Sequence, residues 1–395
     1  MFLLKIQIFI FYVFGFVPFT YKTNNNAVDK KKFESDAITF VPTEVHTFYN
    51  LILIIAIIVV NSIYIPATIQ DYYSKDDMDL SATLSLAISL SGNSVLIILL
   101  LSFIVQRQKI IKLVNQLLDI DVAMKKLHHI YKPDFEKIEL LFICYVNTIP
   151  CVIIMILSLY IDAKFISTMC LFTFHTFAFN YLIIQYAILL TIIEKKLKCC
   201  NDGFLKLKKS IELQFRVYNT QKNTLDKTSI IEIFALKRCH TILCRLCSDI
   251  ADFYSFGFLY IIPYSIVCVI LNIYDLLIPF LDIYSTENIT TRRIGNIAWI
   301  MSRLFPILTT AVCATKVSKQ IKRTSSVIQE ILFECFMSPE VKNELKIFSL
   351  ELLHKNFQFT AYNVIPVDCT ILRTVFGAIA TYLIIFIQFQ VDDMD

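Results

Sequence analysis

Seven stretches of this chain run for eighteen or more residues with at most one Lys, Arg, Asp or Glu. They are Thr47–Gln70, Leu80–Gln106, Leu140–Ile161, Phe165–Ile193, Phe253–Tyr274, Ile294–Thr315 (interrupted only by Arg303) and Thr374–Val391. About 20 helical residues cross the roughly 30 Å of a bilayer's hydrocarbon. A backbone in lipid must satisfy its own hydrogen bonds, and none of the runs alternates as a barrel strand does. The pattern predicts an all-α polytopic membrane protein with seven transmembrane helices.

Composition agrees. Hydrophobic residues make up 56% and charged residues 18% of the 395, with a mean hydropathy of +0.62; a soluble domain carries about 25% charged residues. Six glycines and ten prolines leave no room for a long flexible linker. The absence of an internal repeat argues against an inverted-repeat transporter. Of the twelve cysteines, most lie in the apolar runs or the basic segments, so reduced thiols are expected. Cys244, Cys247 and His240 lack a second ligand pair at finger spacing, and no metal is expected there.

Charge fixes a predicted orientation. Residues 22–46, 107–137, 194–238 and 316–355 hold 29 Lys and Arg, whereas 71–79, 162–164, 275–293 and 392–395 hold 4. The positive-inside rule places the N-terminus in the cytoplasm and the C-terminus outside, an inverted topology relative to G-protein-coupled receptors. The sequon at Asn288 falls in a segment assigned outside, where glycosylation is possible. Residues 2–19 resemble a signal-peptide core, but Lys5 interrupts them and no small-residue cleavage site follows. With eight aromatics between Phe2 and Tyr21, they are read as interfacial; an eighth span is the alternative.

The cytoplasmic segments are predicted to be helical extensions. Residues 107–137 read as a basic helix continuing from the second span. Residues 318–336 and 340–356 read as two amphipathic helices split at Ser338-Pro339. In the second, Val341, Leu345, Phe348 and Leu352 form one stripe, suited either to the protein's own core or to a bundle tying subunits together.

At 100° per residue, Thr370, Thr374, Gly377, Thr381 and Gln388 fall within a narrow face of the last helix. An amide left unpaired in hydrocarbon costs several kcal/mol. The face therefore meets another helix, or it meets water along a pore. A pore along one terminal helix requires an oligomer with a central axis. Asp392, Asp393 and Asp395 would then ring its outer mouth, concentrating cations.

These residues carry a resemblance. Thr381-Tyr382-Leu383-Ile384-Ile385-Phe386-Ile387-Gln388-Phe389 is similar to the Thr-Tyr, five hydrophobics, Gln-Phe motif that closes the insect gustatory receptors. The approach to it, residues 359–383 with Asp368 and Gly377-Ala378, resembles the same region of that family, and length and predicted topology match as well. The resemblance implies a seven-transmembrane chemosensory ligand-gated cation channel, a homo- or hetero-tetramer around the last helix. Gln388 and Phe389 are then implied at the gate, with Thr381, Ile384 and Ile385 lining the pore, and Thr381, Tyr382, Gln388 and Phe389 as the family motif.

The implied organisation is a cytoplasmic segment 1–46, a six-helix ligand-binding region 47–318, cytosolic anchor helices 319–369, a pore-lining helix 370–391 and an extracellular tail 392–395. The sugar-receptor group carries an acid after Thr-Tyr, where this chain has Leu383. That argues against the sugar-receptor group but does not separate bitter from fructose-type receptors; the resemblance implies a receptor for bitter or plant secondary compounds as the larger set, with a fructose-type receptor as the alternative. Small-molecule tastants, membrane lipid and cations are the implied partners, in the plasma membrane of gustatory neurons. No nucleic acid or cofactor is expected.

Ligand-binding candidates are the rare polar and aromatic groups of the spans: Trp299, Arg303, His175, Tyr260, Tyr264 and Asn147. Trp299 is also suited to an interfacial anchor. Arg303 within a span needs a partner or a watery cavity. A G-protein-coupled receptor would need the opposite charge topology, and no catalytic cluster points to an enzyme.

Overall fold

A computed structural model of the chain describes residues 10–17, 19–23, 38–74, 80–125, 137–161, 173–217, 227–281, 289–334, 339–354 and 358–392. The apolar runs form helices α1 (Glu44–Ser74), α2 (Leu80–Val105), α4 (Lys137–Ile161), α5 (Phe174–Val217), α6 (Lys227–Leu281) and α7 (Ile289–Glu334); the last helix, α9, is Thr370–Asp392. Two further helices, α3 (Arg107–Lys125) and α8 (Pro339–His354), are too polar to cross. Two small antiparallel hairpins complete the described residues: β1 (Phe19–Thr23) with β2 (Ile38–Pro42), and β3 (Thr360–Ala361) with β4 (Ile365–Pro366).

Six helices are long and apolar enough to cross a membrane, and the seventh apolar stretch is the shorter Thr370–Ile385 within α9. The all-α polytopic class is thus observed. At 1.5 Å per residue the 55-residue α6 is about 80 Å long, far more than a bilayer. So α5, α6 and α7 must project beyond the membrane as a helical bundle. The centre of the fold is α5, whose apolar window is 83% buried against 17% for α1. It packs along α6 and α7, while α1 lies at the periphery with Ile55 and Ile63 exposed, a face suited to lipid.

Charged groups mark the level at which three helices leave the apolar layer. Glu139 of α4 accepts from Lys195 of α5 at 3.3 Å and Lys316 of α7 at 2.6 Å. Further along the bundle Lys196 meets Asp121, and Lys208 meets Glu330 and Glu334.

Three sequence expectations are revised. The basic helix after the second span is not its continuation. A turn at Gln106 breaks the helix, and α3 restarts at Arg107; residues 126–136 lie outside the described ones. Its Asn115 donates to and accepts from the backbone of Phe40, holding β2 against α3. The stretch from 318 is not a separate amphipathic helix but the end of the 46-residue α7. Pro339, as the split at that residue predicts, opens α8.

Third, the aromatic N-terminal segment is not interfacial where it is described. Phe11, Phe14, Phe16 and Val17 are buried. Gly15, at φ 80, turns the chain so that its carbonyl meets His46 and Asn50, while Gln185 of α5 donates to the Phe16 carbonyl. A side chain at Gly15 would strike Asn50 at 2.5 Å. No helix long enough to cross occurs here among the described residues, so the eighth span finds no support in them.

The stripe Val341, Leu345, Phe348 and Leu352 of α8 is buried within the chain's own bundle. Phe348 packs on Phe204 (centroids 6.5 Å) and His240 (5.6 Å), with Lys237 Nζ 5.6 Å from its ring centroid. Phe348→Ala is expected to destabilise by about 3–5 kcal/mol, whereas exposed Lys346→Ala should change little. Comparing their thermal midpoints in detergent checks this; equal midpoints would place the wrong face inward.

Candidate functional site

Four of the six ligand candidates come together. His175 lies in the first turn of α5, Tyr264 lies nearly five turns before the Leu281 end of α6, and Trp299 and Arg303 are one turn apart on α7. His175 Nε2 and the Tyr264 hydroxyl share a short hydrogen bond of 2.5 Å. The Arg303 Cζ lies 4.9 Å from the Tyr264 ring centroid and 5.8 Å from that of Trp299. Arg303 is 3% exposed, and its Nη2 donates to Thr176 Oγ1. Phe179 meets both His175 and Tyr264 edge to face.

Sequence reasoning missed three members of this cluster. Thr176 and Phe179 lie on the α5 turn of His175, and both are ordinary residues for a span. Gly92 of α2 is the third: a Cβ there would sit 2.5 Å from His175 Cδ2 and Nε2 and 2.9 Å from Tyr264 Oη. The available signal was a glycine in a helix interior, which costs stability and so marks a close approach. Pro306 adds local irregularity, since it cannot donate to the Ser302 carbonyl beside Arg303.

The other two candidates fall elsewhere. Tyr260 is 44% exposed and packs edge to face on Phe256. Asn147 is buried but spends its amide on its own helix, donating to the Ile143 carbonyl at 2.6 Å and reaching Thr309. The sequon at Asn288 lies outside the described residues.

The last helix presents its predicted face to the surface of the single chain. Thr370, Thr374, Gly377, Thr381 and Gln388 are all exposed, and nothing lies within 4 Å of a Cβ built on Gly377. The opposite side is held by Ile371, Val375 and Ile379 against the bundle. Phe376 stands opposite the Thr381 face on a 100° wheel, yet it is 56% exposed, because the buried face is centred nearer Val375. Tyr382, Ile384 and Ile385 are also exposed; the side chain of Phe389 lies outside those described. Thr381 bonds back to the Gly377 carbonyl. Asp368 caps the helix by accepting from the Thr370 amide and hydroxyl. The preceding Cys369 donates its amide to Thr315 of α7 at 3.1 Å.

Comparison with known proteins places this architecture. The family described as 7tm Chemosensory receptor matches residues 4–392, and the chain belongs to that family. Among similar Drosophila melanogaster proteins, "Putative gustatory receptor 28a" is 25% identical over 174 residues, covering 41% of this chain and 38% of its own length. "Putative gustatory receptor 28b" is 25% identical over 38% of this chain and 32% of its own, and "Putative gustatory receptor 2a" is 52% identical over 46 residues, 12% of this chain and 11% of its own. The chain thus spans under two-fifths of the length of each of these relatives. Its fold is shared with the insect olfactory receptor OR5 from Machilis hrabei, at TM-score 0.65 and 16% identity over 98% of both chains. The structure of that receptor in complex with eugenol matches at TM-score 0.59 and 15% identity, over 98% of this chain and 97% of the other.

Proposed function

We propose that this chain is a gustatory receptor that opens a non-selective cation pore when a small tastant binds. The single observation that carries the reading is the exposed polar face of α9. Gln388 is exposed at the far end of an apolar helix, where lipid would leave its amide unpaired. Among the described residues, the chain itself does not cover that face, so water or a further copy must. A ring of subunits around a shared axis meets both needs, with Thr381, Ile384, Ile385, Gln388 and Phe389 along it. The gustatory relatives and the fold shared with an insect olfactory receptor support this reading.

The proposed assembly is a homo- or hetero-tetramer in the plasma membrane of gustatory neurons, with the basic bundle in the cytosol. Because α8 spends its regular stripe inside its own chain, subunit contacts in the bundle would use its other face. Ile347, Leu350 and Leu353 are exposed there. The cluster of His175, Tyr264, Trp299 and Arg303 is the proposed ligand site. A neighbour of this fold solved with eugenol makes a small organic ligand reasonable. Leu383 after Thr381-Tyr382 disfavours the main sugar-receptor group, and bitter or plant secondary compounds are preferred as the larger set, with a fructose-type receptor as the alternative.

The test is expression in a non-native cell with G-protein signalling blocked, recording current under a panel of bitter compounds and sugars. Ligand-evoked cation current under the block is expected. Responses that vanish with the block would overturn the channel reading.

A further inference from the structure

Arg303 is the one charge inside the apolar run Ile294–Thr315, about 14 Å from the run's first residue at 1.5 Å per residue. Its Nη2 donates to Thr176 Oγ1, while Nε and Nη1 are buried without a hydrogen-bond partner. Among the described residues no carboxylate pairs with it. Charges within spans are paired or face a functional cavity, and a buried charge without its partner is costly.

The rings beside it do not meet this need. Tyr264 and Trp299 attract the guanidinium by their ring faces, but a ring is no substitute for an acceptor oxygen in the guanidinium plane. The N–H groups of that plane form two forked edges, Nε with Nη2 and Nη1 with Nη2. Thr176 takes one of the two Nη2 hydrogens, which leaves whichever edge uses the other intact. A forked edge of this kind matches a carboxylate bidentately.

We propose that Arg303 is the ligand anchor and that the site takes small aryl-bearing anions, recognised by a carboxylate on the guanidinium edge and by their ring against Trp299 and Tyr264. The inference rests on the assignment of this cluster as the ligand site. Neutral sugars and neutral alkaloid-like compounds would then be poor ligands, because they leave the arginine's charge uncompensated.

Trp299 is the chain's only tryptophan, and it lies beside Arg303, so its emission reports occupancy without any need for a current. The full chain in lipid nanodiscs is titrated with phenylacetate and 3-phenylpropanoate, and separately with their primary amides and with acetate. Saturable emission changes are expected for the two aryl carboxylates, with the amides and acetate at least about tenfold weaker. Arg303→Met is expected to weaken the carboxylates at least about a hundredfold, as loss of one partner of a buried charge pair does. Arg303→Lys keeps the charge but loses the fork, and should weaken them about tenfold; it serves if the Met variant does not fold.

Amides binding as well as carboxylates, acetate binding as tightly as either, unchanged affinity in both variants, or no saturable change with any probe would each overturn the anchor. Saturable carboxylate binding with no evoked current in cells would instead leave the anchor standing and sink the channel reading.

Discussion

Gly92→Ala should impair the ligand response more severely than its single added methyl group suggests. The new Cβ would lie 2.5 Å from two ring atoms of His175 and 2.9 Å from the Tyr264 hydroxyl. Neither neighbour is the loose end of a flexible chain: His175 is 1% exposed and packs against Phe179 as well as Tyr264. The rings must therefore separate, which breaks the His175–Tyr264 hydrogen bond and moves Tyr264 off the Arg303 guanidinium. Overpacking of this kind costs about 1–3 kcal/mol. The expected result is a shifted Trp299 emission maximum, a lower thermal midpoint, and at least a tenfold loss of apparent affinity for any compound that evokes current. An unchanged dose–response and emission spectrum would mean that α2 does not press on this cluster.

Replacing Gln388 should change the pore and leave ligand binding intact. In the proposed tetramer four copies of Gln388 face one axis, and Gln388→Ala removes four amides from the narrowest, most apolar stretch, next to Ile384 and Ile385. Single-channel conductance or open probability is expected to change several-fold, since amides lining a constriction hydrate passing ions. Probe titrations read by Trp299 emission should match wild type. The pore assignment fails if currents persist with wild-type conductance and gating.

How far the sequence could be read depended on whether a feature announced itself locally. Charge-free runs located the spans because desolvating a charge is costly wherever it falls along a helix. They could not show where α5, α6 and α7 end, because outside the lipid a helix continues as long as its neighbours cover it. The N-terminal segment was misread for a related reason. Its aromatics suit an interface as well as a core, and what buries them, such as Gln185 on the Phe16 carbonyl, lies far along the chain.

The candidate site was legible where rare residue types stand out in apolar surroundings. His175, Tyr264, Trp299 and Arg303 were found that way. The same criterion also picked Tyr260, which is exposed, and Asn147, which is spent on its own helix, because type alone does not say which way a side chain turns. Gly92 was missed for the opposite reason: its contribution is the side chain it lacks. On α9, period alone identified the exposed face; Phe376, opposite that face on the wheel, is exposed as well, because it lies about 100° from Val375 at the centre of the buried side.

One helix carries both ends of the proposed device. Arg303 and Trp299 lie on α7, and twelve residues beyond Arg303, about 18 Å along the same axis, Thr315 receives the amide of Cys369 at the root of α9. The Cys369 thiol reaches the Ala311 carbonyl of the same helix. The proposed ligand cluster and the root of the proposed pore helix are thus seated on a single helix with no loop between them. Any rotation or slide of that helix displaces both ends together, with Pro306 the one weakened point in the backbone ladder between them.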